Sequence, residues 1–380
     1  MSRYVIIPDS FKGTLSSVEI CRIVSREIRA QEPEAAVCAI PVADGGEGTV
    51  DAFLAAVGGE RVTVQCAGPY GEPVSAFYGM LPDGSAVVEM AAAAGLPLVG
   101  TRRDPESTTT YGVGQLMAHA AAHGAKRIVL ALGGSATNDG GCGAAAALGV
   151  TFYDRAGKPF VPVGGTLHDI ARICADRLDP ALRRIRVVTM CDIDNPLCGP
   201  TGAAAVFGPQ KGADDAMVQR LDAGLFHLAQ VLRRDLVAEV LNLPGGGAAG
   251  GFGAGAAAFF GSPLRMGIDV VLDLTRFDTH AAGADLIITG EGKLDSQSLR
   301  GKVVIGVARR ARALDVPVAA LVGGSETDIA AAYAAGVSGV FPINPLPLPF
   351  EEVRAQAEEN LAFTAANLIR FYRAVGGASR

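Results

Sequence analysis

Short apolar runs break into glycine- and acid-rich turns and then give way to helical patterns, again and again, along this 380-residue chain. That alternation constrains the fold more than any other feature. Strands that bury both faces and helices that bury one are accommodated together by a mostly parallel α/β sheet. Near the N-terminus residues 3–7 read as a strand, and Ser16 and Glu19 form a capping box that opens a helix. Val18, Cys21, Val24 and Ile28 follow at helical spacing. Residues 36–42 read as a strand, 49–57 as a helix and 61–66 as a third strand. The C-terminal part repeats the scheme, with strands at 285–289, 316–322 and 339–342 and helices at 302–314, 328–335 and 351–372.

The middle differs. Pro69-Tyr70-Gly71 and Pro82-Asp83-Gly84 separate apolar runs at hairpin spacing, which predicts a mixed or antiparallel sheet. Residues 127–132 and 186–191 read as further strands. The fold class is therefore α/β, with a middle domain, residues 69–282, inserted into a discontinuous outer domain, residues 1–68 and 283–380. A chain this long exceeds one ordinary domain, so two are expected.

Composition removes several functions. Lys and Arg number 33 against 39 Asp and Glu, and no basic stripe occurs, which argues against a nucleic-acid partner. Trp is absent, so stacking platforms for single strands are not expected either. Seven scattered Cys without a C-x-x-C predict reduced thiols and a cytoplasmic protein. No signal peptide is read at the N-terminus. Residues 240–264 are uncharged, but their Gly and Ala insert poorly, so no membrane span is expected.

Five turns share one design, with Gly beside acidic or small polar residues after an apolar run. They are Asp9-Ser10-Phe11-Lys12-Gly13, Asp44-Gly45-Gly46-Glu47-Gly48, residues 133–141 (Gly-Gly-Ser-Ala-Thr-Asn-Asp-Gly-Gly), Asp192-Ile193-Asp194-Asn195-Pro196 and Gly290-Glu291-Gly292-Lys293-Leu294-Asp295. Gly and Asp are ordinary turn and cap residues. Five such turns together point to phosphate handling, because glycines let backbone N–H groups approach an anion and carboxylates can hold a bridging divalent metal. Nucleotide fingerprints are missing. Gly301-Lys302 lacks the rest of a P-loop, and the literal G-x-G-x-x-G at Gly245, Gly247 and Gly250 does not follow a strand. Gly133-Gly134-Ser135-Ala136-Thr137 fails the nucleophile-elbow pattern at its last position. His119 and His123 have metal spacing but no third ligand nearby.

Taken together, these segments resemble the type I glycerate kinases, the bacterial glycerate 2-kinase family. Further matching segments are Val206-Phe207-Gly208-Pro209-Gln210-Lys211-Gly212-Ala213, Ala248-Ala249-Gly250-Gly251 and Thr289-Gly290-Glu291-Gly292-Lys293-Leu294-Asp295-Ser296-Gln297. Lys293 and Val304 stand where Arg and Pro are frequent in the family. The resemblance implies transfer of the ATP γ-phosphoryl group to the 2-hydroxyl of D-glycerate with Mg²⁺. It also implies a discontinuous Rossmann-like domain and an inserted α/β domain, with the site in the cleft between them. Its partners are then small molecules, and a homodimer is one option for its assembly.

Residue chemistry suggests the roles. Asp192, at a strand end, is expected to accept the hydroxyl proton, and Lys12 to hold the glycerate carboxylate or the γ-phosphate. Asp194 and Asn195 are the metal candidates, as short oxygen ligands suit Mg²⁺. Gly133, Gly134, Ser135, Asn138 and Asp139 are expected to cradle the nucleotide phosphates. Asp9, Ser10, Asp44, Glu47, Glu291 and Asp295 are expected to bind substrate.

Overall fold

The computed structural model describes residues 1–43, 45–295, 301–346 and 348–376. The chain divides into two compact units, one formed by Met1–Asp44, Ala55–Val57 and Met266–Arg380, the other by Gly45–Leu54 and Gly58–Arg265. In chain order the strands are β1 (Arg3–Pro8), β2 (Ala36–Ala39), β3 (Glu60–Ala67), β4 (Pro73–Met80), β5 (Ser85–Glu89) and β6 (Arg127–Ala131). They continue with β7 (Thr151–Tyr153), β8 (Pro159–Phe160), β9 (Arg172–Cys174), β10 (Arg186–Met190), β11 (Leu264–Arg265), β12 (Leu286–Leu294), β13 (Val318–Ser325) and β14 (Gly339–Pro342).

The first unit carries a five-stranded sheet in the order β14-β13-β12-β1-β2, parallel throughout. Counting only its own strands, the order is 2-1-3-4-5, a doubly wound arrangement that reverses direction between β1 and β12. Strand periodicity sends Ile6, Ile288 and Leu321 to one face, under Val24, Ile28, Leu361 and Ile369 of two helices. Ala320 and Val322 go to the other face, against Val304, Ile305 and Ala308 of the helix Val303–Ala313. The expected capping box is present, with Glu19 N–H donating to Ser16 Oγ at 3.2 Å and Ser16 N–H to Glu19 Oε2 at 2.8 Å. The buried stripe of that helix is Ile20, Cys21, Ile23, Val24 and Ile28, while Val18, expected on it, is 47% exposed. The last helix is two, Phe350–Ala355 and Ala357–Ala374.

The second unit holds a six-stranded sheet, β11-β10-β6-β5-β4-β3. β3, β4 and β5 run antiparallel, as the turn signals predict, and β5, β6, β10 and β11 run parallel. β3 therefore starts this mixed sheet instead of continuing the parallel run of β1 and β2. Its register follows from pairing with β4 through a tight turn. The helix Tyr111–Ala122 covers one face with Val113, Leu116 and Met117 packed on Val88, Ile128 and Leu130. A small sheet, β8-β7-β9, packs Phe152 and Ile173 against Leu225, Leu228 and Leu232 of the helix Asp215–Leu236.

Among the described residues no helix is long and apolar enough to cross a membrane. The uncharged stretch around residue 250 instead makes a left-handed turn at Ala249, Gly250 and Gly251 and runs on as a helix to Phe260, buried nearly all round. All seven cysteines are free thiols.

Candidate active site

Open α/β sheets place ligands outside the carboxyl ends of their strands, at the point where strand order reverses. In the first unit that point lies between β1 and β12, where two of the acid-and-glycine segments meet. Asp9 N–H donates to the Gly290 carbonyl at 2.8 Å. Asp9 is buried and its Oδ1 accepts from Ser10 N–H at 2.7 Å. Lys12 is exposed on the turn that follows. Residues 290–294, expected as a loop, are the end of β12 and pair with β13, Glu291 opposite Val322 and Lys293 opposite Gly324. Glu291 is buried, whereas Lys293 points into solvent and pairs with Glu326 at 3.2 Å and Asp295 at 3.6 Å.

In the second unit three of the predicted segments converge. Residues 133–141 leave the carboxyl end of β6, and residues 191–196 leave that of the neighbouring β10. Gly133 N–H donates to the Gly45 carbonyl at 2.9 Å. The approach is so close that a Cβ on Gly133 would lie 2.5 Å from the Gly46 Cα, which is why glycine is needed there. The site of a Cβ on Gly45 lies 3.6 Å from Met190 Cβ, at the end of β10. Glu47 is exposed in this turn, and Asp44 lies outside the described residues. Glu89, at the end of β5, is 2% exposed and accepts from Val50 N–H, at the start of the helix Thr49–Val57. Burial pushes its carboxyl up, against the pull of the Val50 and Gly48 N–H groups.

The segment 133–141 is held from several sides. Leu96 N–H donates to the Gly134 carbonyl and Ala136 N–H to the Ala94 carbonyl, both at 2.9 Å. Asp139 is fully buried and accepts from Thr110 N–H and Thr110 Oγ1–H at 2.8 Å, Gly141 N–H at 3.1 Å and Gly143 N–H at 3.2 Å. Burial raises its pKa in spite of these bonds. Its oxygens thus organise the loop from behind. Gly140 N–H donates to the Gly250 carbonyl at 3.0 Å. Gly250 sits at φ +66°, with its Cβ position 2.0 Å from the Thr137 carbonyl. Gly247 and Gly250 of the literal G-x-G-x-x-G therefore serve close backbone packing.

Ser135 is nearly buried, while Thr137 and Asn138 are fully so. Thr137 Oγ1 and both amide atoms of Asn138 have no hydrogen-bond partner among the described residues. Leaving such groups unsatisfied costs about 1–3 kcal/mol each, so they call for a partner that the chain does not supply, a ligand or water. Lys211, which sequence reasoning missed, lies behind this segment with its Nζ on Ser135 Oγ and the Thr137 carbonyl. Glu89 was missed as well. Only the segment Gly208-Pro209-Gln210-Lys211-Gly212, a lone lysine between turn glycines, offered a signal.

Asp192 is half-buried just beyond β10 and Asp194 is exposed. Asn195 Nδ2 donates to the Thr201 carbonyl at 2.8 Å, which leaves its Oδ1 for another partner. One carboxylate with an amide oxygen fits Mg²⁺, a hard ion that keeps several waters and shares phosphate oxygens. No cluster of three or more His, Cys, Asp or Glu suited to a metal occurs among the described residues. His119 stacks on His123 and meets the Tyr78 hydroxyl at 3.1 Å through Nδ1, a packing role.

Two α/β units, each with glycine-bearing segments gathered at the carboxyl ends of parallel strands, define an α/β ligand-binding enzyme. The glycerate kinase family model matches residues 4–373. A glycerate kinase of Bacillus cereus is 46% identical, over 98% of each chain. The glycerate 2-kinase of Escherichia coli is 41% identical over 96% of this chain and 97% of its own. A crystal structure assigned to a glycerate kinase 2 of Salmonella typhimurium LT2 superposes with a TM-score of 0.87 at 43% identity, covering 98% of both chains. The chain belongs to the glycerate kinase family.

Proposed function

We propose that this protein transfers the γ-phosphoryl group of ATP to the 2-hydroxyl of D-glycerate, giving 2-phosphoglycerate and ADP. The observation that carries the reading is the segment 133–141, whose buried hydroxyl and amide groups lack protein partners in a chain of this family. Phosphoryl transfer asks a protein mainly for positioning and charge neutralisation. Gly133, Gly134, Ser135 and Asn138 offer donors to the nucleotide phosphates, and Asp139 keeps their loop in shape. Lys12 meets the glycerate carboxylate or the γ-phosphate, and Asp9, Ser10, Glu47, Glu291 and Asp295 hold substrate. Asp192 accepts the proton of the glycerate 2-hydroxyl as its oxygen bonds to the γ-phosphorus and the bond to the β-phosphate oxygen breaks. Asp194 and the Asn195 amide oxygen would hold Mg²⁺, which when bound neutralises phosphate charge.

Incubation with ATP, Mg²⁺ and D-glycerate, followed by phosphorus NMR of the product, tests the reading. The expected product is the 2-phosphate. A 3-phosphate would mean that glycerate binds the other way round, and no turnover would overturn this substrate assignment. Asp192→Asn should lower kcat by at least about 10²-fold with folding intact. An unchanged kcat would remove Asp192 from its role.

A further inference from the structure

Lys211 closes the short turn Pro209–Lys211, ahead of left-handed Gly212. The lysine residue is 2% exposed. An ammonium this deep is costly unless paired and hydrogen-bonded, and an apolar side chain of similar volume would avoid the cost. Asp139 supplies the nearby opposite charge, yet burial still pushes the lysine down to about 7. What the position gains is visible in its bonds. Nζ donates to the Thr137 carbonyl at 2.7 Å and to Ser135 Oγ at 2.8 Å. These two grips flank Ala136, whose own N–H is fixed on the Ala94 carbonyl.

The consequence for Ser135 is directional. A hydroxyl has one proton and two lone pairs. Because Ser135 Oγ accepts from Lys211, its proton is turned away from the lysine, and among the described residues none accepts it. While Lys211 carries its proton, a hydroxyl that accepts from it is also polarised into a stronger donor. We propose that Lys211 is a positioning residue for phosphoryl transfer, fixing residues 135–137 and aiming the Ser135 hydroxyl proton at a phosphate oxygen of the nucleotide. This rests on the reading of residues 133–141 as the phosphate cradle.

A double-mutant cycle of Lys211→Met and Ser135→Ala tests it, with ATP varied at saturating D-glycerate. Each single variant should lower kcat/KM for ATP by roughly tenfold, and the double variant should be no worse than the worse single. The KM for glycerate should stay within about twofold in all three, since a bond to phosphate leaves the acceptor's affinity alone. Multiplying effects would show that Lys211 does not act through Ser135, and would overturn the inference while leaving the cradle intact. The inference fails equally if Lys211→Met leaves kcat/KM for ATP unchanged or raises both KM values together. If Ser135→Ala alone changes nothing, the cradle reading itself fails. Lys211→Gln, a neutral donor, serves the same cycle should the methionine variant not fold.

Discussion

The strand ends of the two sheets both bury carboxylates, but they treat their lysines differently. Beyond β1 and β12 the carboxylates of Asp9 and Glu291 are buried, but the lysines and their ion pairs stand in water. Lys12 is exposed, and the Lys293 side chain, 59% exposed, pairs with Glu326 and Asp295. Beyond β5 and β6 the charges are inside, with Glu89, Asp139 and Lys211 all 2% exposed or less. Water screens the first set and lets it rearrange, so each pair is worth at most about 1 kcal/mol. The second set is desolvated and hydrogen-bonded, and it holds a backbone segment in one shape. One edge is suited to meeting a mobile substrate. The other is suited to presenting fixed donors, the arrangement in which electrostatic stabilisation works best.

Three substitutions test that contrast, beginning with the greatest expected effect. Gly250→Ala forces a methyl group against the Thr137 carbonyl at a positive φ. It should cost about 3 kcal/mol or more by urea denaturation, from overpacking and backbone strain together. A loss under about 1 kcal/mol would mean that the segment 133–141 is not held by backbone contact.

Lys211 gives a pH signature. Its folded pKa of about 7 lies below that of an unfolded lysine, so the unfolded chain binds more protons between the two values and stability rises with pH. The slope in that window is up to about 1.4 kcal/mol per pH unit. Above roughly pH 8.5 the buried thiols oppose it, because burial raises Cys21 to about 12 and Cys66 and Cys191 to about 11, and unfolding then releases their protons. The comparison is therefore between wild type and Lys211→Met from pH 7 to 8.5, with the variant expected to lose the rise. Equal slopes would show that Lys211 carries no such penalty.

Lys293→Ala should change unfolding free energy by less than about 1 kcal/mol, and raised salt should shrink the difference. A loss of several kcal/mol would erase the distinction between the two edges.

Local chemistry made much of the fold legible. The Ser16–Glu19 box, the two hairpin turns and the apolar runs of β1, β6 and β10 need only near neighbours to be understood. Failures came where distant chain decides. Gly290-Glu291-Gly292-Lys293 has the composition of a turn, but β13 lies beside it, and the bare Gly323 backbone lets that strand approach closely enough to extend the sheet. Val18 has the spacing of a core residue but faces outward. In the candidate site, the glycine-rich segments were readable because composition announces them. Glu89 and Lys211 were not, because a buried charge looks like a surface charge until its surroundings are known.

The interior position of β1, between β2 and β12, also bears on how the chain is made. Its one side is met by β2 within forty residues, while Thr289 of β12, whose hydroxyl reaches the Ile7 carbonyl, lies 282 positions along. At a synthesis rate of about 5–20 residues per second, that separation is roughly a quarter of a minute to a minute. For that interval a future interior strand of the sheet is an open edge on the ribosome, and the whole second unit must be translated before the first can close.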